Sequence, residues 1–426
     1  MLLSFLLALF GFIFLGVPIA FSLIMTTVIL MLLSSGSVAP AIISQSIVRG
    51  IDSFPLMAIP FFMLAGEIMN VGGISKRIVY FSNALVGHVT GGLGYVAVVA
   101  SMLFAGVSGS AVADTSAIGS ILLPIMDKEG YDKVKSTALV VSAGCIGPII
   151  PPSIPMILFG VIGGVSIVKL FLGGIIPGVL IGIGLMVIWY FHAKKYKYKS
   201  NKKQSLKSVI KSGKEAFWAL ILPIIILGGI IFGIYTPTEA AVIAVVYSFV
   251  ISTFVYKEFK AHHWLDVLVS AGKTTAVVML VCGAATAAGY LITTAQIPKL
   301  LSDTILALAN NNVIIVMLLI NVLLLAVGCV MDLTPALLIL GPILLPIALS
   351  YGLDPVYFGV VMTVNLCIGL ITPPVGTVLY VGCGLSKLSM AELTKPILGF
   401  VGVMMAVLLL ITYVPGLVTF IPNLVK

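Results

Sequence analysis

The chain has 426 residues, 60% of them hydrophobic and only 9% charged, with a formal net charge of +9. Ordinary globular chains carry roughly 25% charged residues, so this composition excludes a water-soluble domain and leaves a polytopic helical membrane protein. Much of the positive charge stands in one polar stretch between two apolar halves: Lys194, Lys195, Lys197, Lys199, Lys202, Lys203, Lys207, Lys211 and Lys214. A nucleic-acid arm is one reading of such a run. Short Lys-rich loops mark the cytoplasmic face of membrane chains, however, and that reading is adopted, with no nucleic-acid partner.

Residues 2–33 carry no charged side chain and are interrupted only at Gly16 and Pro18. They predict one tilted span, about 50 Å of helix against a hydrocarbon core of roughly 30 Å. They lack the basic start, shorter apolar stretch and small-residue cleavage site of a signal peptide. Residues 41–71 complete the first scaffold region, 1–71. Next come 91–107 and 111–127, joined by Gly106-Val-Ser-Gly-Ser-Ala-Val-Ala-Asp114, too short and too uncharged for a loop in water. The pair predicts a re-entrant hairpin over 91–127, whose two arms enter and leave by the same face. Residues 131–163 form a span broken at Gly144 to Ser153, and 166–192 a continuous one.

Beyond the linker at 193–214, scaffold spans are expected over 215–235, 238–256 and 264–295. A second hairpin over 312–350 turns at Gly328-Cys-Val-Met-Asp-Leu-Thr-Pro335. A second broken helix follows over 354–385, interrupted at Cys367 to Pro374, and a last span over 391–421.

The halves 1–192 and 215–426 are copies of one another. Gly119-Ser-Ile-Leu-Leu-Pro-Ile125 and Ile146-Gly-Pro-Ile-Ile-Pro-Pro152 return 222 positions later as Gly341-Pro-Ile-Leu-Leu-Pro-Ile347 and Ile368-Gly-Leu-Ile-Thr-Pro-Pro374; Gly130, Asp132, Val134 and Cys145 recur at the same offset. Five crossings separate the two hairpins, an odd number, so the halves are inverted. With the Lys linker inside, the count places the N-terminus in the cytoplasm and the C-terminus outside. The expected fold is all-α, an inverted repeat with two re-entrant hairpins and two broken helices.

The chemistry concentrates at the breaks. Proline removes a backbone donor and disfavours helix at the residue before it, so each Pro-Pro pair frees carbonyls at mid-membrane. A bare Na+ accepts such oxygens, and broken-helix transporters hold it in this way. The first tip adds Ser108, Ser110, Asp114, Thr115 and Ser116; the second adds Asp332 and Thr334, with Asn365 on the broken helix opposite. A buried acid is costly and therefore marks a site. Asp332 is favoured because it lies in the tip with no basic residue within thirty positions of it. Asp114 has the alternative role of capping the outgoing helix. Helix N-termini aimed inward from both tips suit a carboxylate substrate.

Other residues rank lower. Glu67 lies near the inner end of its span and is expected to pair with Lys76 or Arg77. Arg49 and Asp52 flank the outer end of that span, as a partner contact or an ordinary solvated turn. Cys145, Cys282, Cys329, Cys367 and Cys383 sit in apolar segments and read as packing residues. His88, His192, His262 and His263 are too scattered for a metal site, and no hydrolase, metalloprotease or nucleotide-binding motif is present. An enzyme is not expected.

Ser53-Phe-Pro-Leu-Met-Ala-Ile-Pro-Phe-Phe-Met-Leu-Ala-Gly66, Phe104-Ala-Gly-Val-Ser-Gly-Ser-Ala-Val-Ala-Asp114, Gly147-Pro-Ile-Ile-Pro-Pro-Ser153 and Gly233-Ile-Tyr-Thr-Pro-Thr-Glu-Ala240 resemble the large membrane subunit of tripartite ATP-independent periplasmic (TRAP) transporters, most closely the sialic-acid class. The resemblance covers nearly the whole chain. It implies a bacterial inner-membrane secondary transporter of elevator type, in which both hairpins and both broken helices slide against a scaffold of the remaining spans. It also implies coupling to Na+, a small four-helix membrane subunit encoded as a separate chain, and a soluble periplasmic substrate-binding protein. Carried onto this sequence, it implies one Na+ site where Ser108 and Ser110 face Gly144, Gly147 and Pro148, and another where Gly328 and Asp332 face Gly369 and Thr372. A substrate carboxylate would lie between the hairpins, with Ser108, Ser153, Asp332, Thr334 and Asn365 as its contacts. Spacing alone assigns no individual ligand. A passive channel or a protein-translocating scaffold is the alternative; the dead-end hairpins argue against an open pore.

Overall fold

Glycine, proline and capping residues cut the apolar stretches into helices. The computed structural model describes residues 2–33, 39–198, 205–296, 298–299 and 312–425, and contains no strand among them; Lys199, Lys202 and Lys203 of the linker lie outside them. Helices α1 (Leu2–Phe14) and α2 (Ile19–Leu33) replace the single span expected over 2–33. Gly16 takes a left-handed φ of 81°, and Pro18 brings no N–H to continue the ladder, so the chain turns and α2 packs back on α1. The parity that put the N-terminus inside counted one crossing there, and it loses that support.

The expected span over 41–71 is also divided. Helix α3 (Pro40–Ile51) stops at Asp52, a 3-10 turn runs through Phe54–Met57 at Pro55, and α4 (Ala58–Val71) resumes. Helix α5 (Ile74–Val86) was not expected; it buries Ile74, Ile78 and Val79 and packs on α11. The first hairpin is α6 (Gly92–Ser108) and α7 (Ala111–Lys128), and the first broken helix is α8 (Lys133–Gly144) and α9 (Ile154–Gly163). Helix α10 (Ile167–Tyr196) enters the linker, from which α11 (Leu206–Ile231) leaves.

In the second half, α12 (Pro237–Val250) ends in a π-helical turn, Ile251–Val255, and α13 (His263–Thr294) is the unbroken counterpart of α3 and α4. Helices α14 (Val313–Gly328) and α15 (Leu333–Ser350) form the second hairpin, and α16 (Pro355–Gly369) and α17 (Thr377–Ser386) the second broken helix. The last expected span divides at Pro415 into α18 (Met390–Tyr413) and α19 (Gly416–Leu424). Among the described residues, seven helical stretches are long and apolar enough to cross a bilayer.

The duplication explains the caps. Asp132 starts α8 by accepting from the Lys135 N–H at 3.0 Å, and its repeat counterpart Asp354 starts α16 by accepting from the Tyr357 N–H at 2.8 Å. Counterpart helices run antiparallel: the end of α4 lies beside the start of α13, where Ser270 donates to Glu67, and Gly50 of α3 lies against Gly283 and Thr286 farther along it. This is the inversion expected from the sequence.

The two halves interlock as well. Helix α7 packs on α8 of its own repeat and α17 of the other; α15 packs on α16 of its own repeat and α9 of the other. Helices α10 and α18, which the sequence reading assigned to the scaffold, pack on each other, on α8 and on α16. They belong to the unit that carries the hairpins. The seam of this unit against the scaffold runs along α4 and α13, facing α6, α9 and α15.

At the second tip, Gly328 and Gly369 meet backbone to backbone. A methyl group added at Gly369 would stand 2.5 Å from the carbonyl carbon of Gly328 and 2.6 Å from its Cα. Gly369→Ala is therefore expected to cost about 1–3 kcal/mol and to lower the unfolding temperature of the purified protein by several degrees. Gly402→Ala, where nothing lies within 4 Å, should leave it unchanged. Equal melting curves for the two variants would contradict the close approach.

Candidate functional site

A cavity of about 450 Å³ lies where both hairpin tips meet the scaffold. Its walls include Gly66, Glu67 and Asn70 of α4, Ala271 and Thr274 of α13, Ser108 to Ala113 of the first tip, Pro148 of the first break, and Asp332 to Thr334 of the second tip. The N-termini of α7, α9 and α15 converge on it, each with the positive end of a helix dipole. No Lys, Arg or His lines it, whereas Glu67 and Asp332 do.

The first tip is built around a buried acid. Ser110 is the N-cap of α7, its Oγ accepting from the Ala113 N–H at 3.4 Å. Asp114 is thereby freed from the capping role considered for it. The Ser108 hydroxyl donates to Asp114 Oδ1 and accepts from the Ser110 N–H at 3.2 Å. Asp114 is completely buried, and its Oδ2 and the Thr115 Oγ1 have no hydrogen-bond partner among the described residues. Both atoms face the break: Asp114 Oδ2 lies over Gly147 and Thr115 Oγ1 over Gly144, at positions where any Cβ would collide with them. Leaving such oxygens unpaired costs on the order of 1–3 kcal/mol each, and more for a carboxylate. A hard cation at this point would relieve both.

Ser153 does not reach the cavity. It is fully buried, donates to the Pro148 carbonyl, and caps α9 by accepting from the Met156 N–H at 3.3 Å. Its role is to aim the N-terminus of α9, whose Ile154 and Pro155 do line the cavity.

At the second tip, Asp332 holds the N-cap position of α15 and accepts from the Thr377 hydroxyl at 3.0 Å, which ties the tip to the far half of the broken helix. Asp332 and Thr334 line the cavity and are only partly buried. Behind them, the Val375 N–H donates to the Cys329 carbonyl at 3.2 Å and the Thr372 hydroxyl to the Ile368 carbonyl at 2.7 Å. Asp332 is the repeat counterpart of Ser110; the position equivalent to Asp114 is Ala336. The two tips thus carry their carboxylates one helical turn apart.

Asn365 is likewise absent from the cavity. Buried in α16, it donates to the Asn321 carbonyl at 3.0 Å and to Asn321 Oδ1 at 2.7 Å, and Asn321 in turn donates to Thr412 Oγ1 at 3.2 Å. This chain bolts α16 to α14 and α18. Glu67 pairs with neither Lys76 nor Arg77: it accepts from the Ser270 hydroxyl at 2.7 Å, while Arg77 makes a 2.7 Å ion pair with Glu258.

Sequence reasoning brought Ser108, Ser110, Gly144, Gly147 and Pro148 to one place, and Gly328, Asp332, Gly369 and Thr372 to another. It set aside Asp114 and Thr115. The signal was present in their spacing, since residues 114 and 115 stand one turn into a helix that begins at Ser110 and so project sideways toward the break. Among the described residues, no three His, Cys, Asp or Glu side chains cluster as for a transition metal. Carboxylate, hydroxyl and carbonyl oxygens suit a hard cation.

Comparison with known proteins agrees with this architecture. Residues 6–417 match the family described as the tripartite ATP-independent periplasmic transporter, DctM component. A putative TRAP transporter large permease of Haemophilus influenzae is 49% identical over 97% of this chain and 97% of its own length. The 2,3-diketo-L-gulonate TRAP transporter large permease of Escherichia coli is 44% identical over 98% of this chain and 97% of its own. Among solved structures, the Alcanivorax borkumensis YdaH transporter shares the fold, with a TM-score of 0.62 at 14% identity over 87% of each chain. The chain belongs to the DctM family, the large permeases of TRAP transporters.

Proposed function

We propose that the protein moves a small carboxylate inward across the bacterial inner membrane, driven by Na+, by an elevator motion of the unit that carries both hairpins. One observation carries this reading. The cavity between the tips presents helix N-termini and two acids but no basic side chain, and unpaired oxygens of Asp114 and Thr115 lie beside it. An anion entering such a place needs a cation with it. Two like charges 4 Å apart repel by about 4 kcal/mol at an effective dielectric constant of 20, and a bound Na+ would cancel a repulsion of that size.

In this reading the first Na+ is held by Asp114, Thr115 and the Ser108 to Ser110 tip against Gly144 to Pro148. The second is held by Asp332 and the Gly328 tip against Gly369 and Thr372. Each Na+ entering down the membrane potential contributes roughly 2.3 kcal/mol per 100 mV. The substrate carboxylate lies between the tips, near Ser108 and Thr334. Sialic acid is the first candidate and a C4-dicarboxylate the second; a relative named for a sugar acid fits the same class. The partners are a small four-helix membrane subunit and a periplasmic binding protein that delivers the substrate. A passive channel is the competing reading, and saturation of uptake with an absolute Na+ requirement separates the two.

Asp332→Ala is expected to abolish Na+-dependent uptake in proteoliposomes that contain the assembled complex; wild-type rates from that variant would remove Asp332 from the site. Asp114→Asn should raise the Na+ concentration for half-maximal uptake about tenfold or more, equal to ~1.4 kcal/mol. An unchanged Na+ dependence would place the first ion elsewhere. Without the binding protein no uptake is expected, and robust transport of free substrate by the membrane subunits alone would refute the tripartite arrangement.

A further inference from the structure

A second cavity, of about 640 Å³, opens on the same seam between scaffold and hairpin unit. The first cavity meets α13 between Ala271 and Val278; the second meets it between Cys282 and Thr293. The other walls shift in step. Helix α15 contributes Leu333 and Thr334 to the first cavity but Leu338 and Pro342 to the second. The two cavities are therefore stacked along one track. The first lies toward the Lys-rich linker, because α13 begins at His263, a few residues beyond Tyr256, whose hydroxyl donates to the Glu215 carbonyl at the linker side of α11.

The two cavities are also images of each other under the 222-residue repeat. Leu56 lines one and its counterpart Val278 the other; Glu67 lines one and its counterpart Gly289 the other. Their charges differ. The cavity on the linker side carries Glu67 from the scaffold, whereas the far cavity carries Arg49, whose counterpart is Ala271. Arg49 makes no ion pair among the described residues. Its neighbours in the cavity are apolar or hydroxyl-bearing, among them Ser46, Ser53 and Thr286. Arg49 is exposed at the rim of this cavity, and a guanidinium with no carboxylate partner is a receptor for one.

We propose that Arg49 receives the carboxylate of the substrate in the outer position of the transport cycle. When the hairpin unit slides along α13 by the eleven to fifteen residues that separate the two cavities on it, about 16–22 Å at 1.5 Å per residue, the tips leave Glu67 and come to face Arg49. The scaffold then attracts the anion on the side of arrival and repels it on the side of release. This inference rests on the carboxylate-transport reading above, and it assigns the direction of the bias to one side chain.

The test uses the full complex in proteoliposomes, with Arg49, Arg49→Gln and Arg49→Lys compared in a Cys282→Ala, Tyr290→Cys background. Position 290 lines the far cavity. Its labelling by an anionic and by a cationic methanethiosulfonate reagent is followed by peptide mass spectrometry. The anionic-to-cationic rate ratio is expected to fall about tenfold in Arg49→Gln and to be largely kept in Arg49→Lys. In parallel, Na+-driven uptake of N-acetylneuraminate, 2,3-diketo-L-gulonate and succinate is measured with the binding protein present. For whichever of these the unsubstituted complex carries, Arg49→Gln should lower uptake at least tenfold.

An unchanged labelling ratio together with unchanged uptake overturns the proposal. So does an effect confined to the binding-protein concentration that half-saturates uptake, which would make Arg49 a docking contact instead. Failure of the unsubstituted complex to carry any of the three under a Na+ gradient overturns the transport reading itself, and is recognised by its independence of position 49.

Discussion

In hydrocarbon every backbone N–H and C=O must find a partner inside the protein, and this chain breaks two helices where that demand is hardest to meet. Each break is tolerable because a hairpin tip is pressed against it. At the second break the closure is direct: Gly328 and Gly369 touch through their backbones, and the Val375 N–H, just past the Pro-Pro pair, reaches the Cys329 carbonyl of the tip. At the first the tip packs without bonding to the backbone, with Asp114 seated over Gly147 and Thr115 over Gly144, and the freed Pro148 carbonyl accepts from Ser153 instead. The glycines at these points are consequences of the closure, because any Cβ would push tip and break apart. The second tip is tied further to the far half of its broken helix through Asp332 and Thr377.

The same requirement explains why the two repeats cannot act separately. A hairpin covers one side of its own broken helix and leaves the other for the second repeat, so α7 rests on α17 and α15 on α9. The result is one body with two tips meeting at its centre. Polar links inside that body, such as Asn365 to Asn321 to Thr412, stiffen it without opening to the cavity. Rigidity here is a functional property. In the elevator reading proposed above, a unit that slides past α4 and α13 must carry its oxygens in fixed positions, because a site loosened by an ångström would lose cation affinity before the stroke was complete.

Much of this was legible in the sequence, for identifiable reasons. The duplication needed only self-comparison, and the breaks announced themselves through paired prolines and glycines in apolar surroundings, signals that depend on local chain chemistry alone. The inversion followed from an odd number of crossings between the hairpins. What sequence reading lost were properties set by tertiary contact. Hydropathy cannot show that Gly16 and Pro18 fold α1 against α2, because both sides of the turn are equally apolar. Nor can it separate α10 and α18 from the scaffold, since every span is apolar and only packing tells which body it joins. Asp114 was set aside because a cap and a buried acid with another task look alike in sequence; Ser110 in the capping position removes the first role. Ser153 and Asn365 were polar residues near a break that proved to serve the frame of the site instead.

A two-fold related pair of repeats has no preferred direction of its own, so any bias must come from residues that break the symmetry. The chain does so at several positions. Ser110 faces Asp332 across the pseudo-axis, Asp114 faces Ala336, Glu67 faces Gly289 and Arg49 faces Ala271. The first two pairs lie in the hairpin unit and, in the elevator reading proposed above, travel with the cargo, so they set what is bound but cannot tell one end of the track from the other. The last two lie in the scaffold, fixed at opposite ends of the seam. Within the protein, stationary charges of the scaffold are what can make the same cargo more stable at one end than at the other, beside the membrane potential that acts on the ions. An inverted repeat therefore supplies two equivalent resting places at little cost in sequence, and a few unmatched scaffold residues are enough to make them unequal.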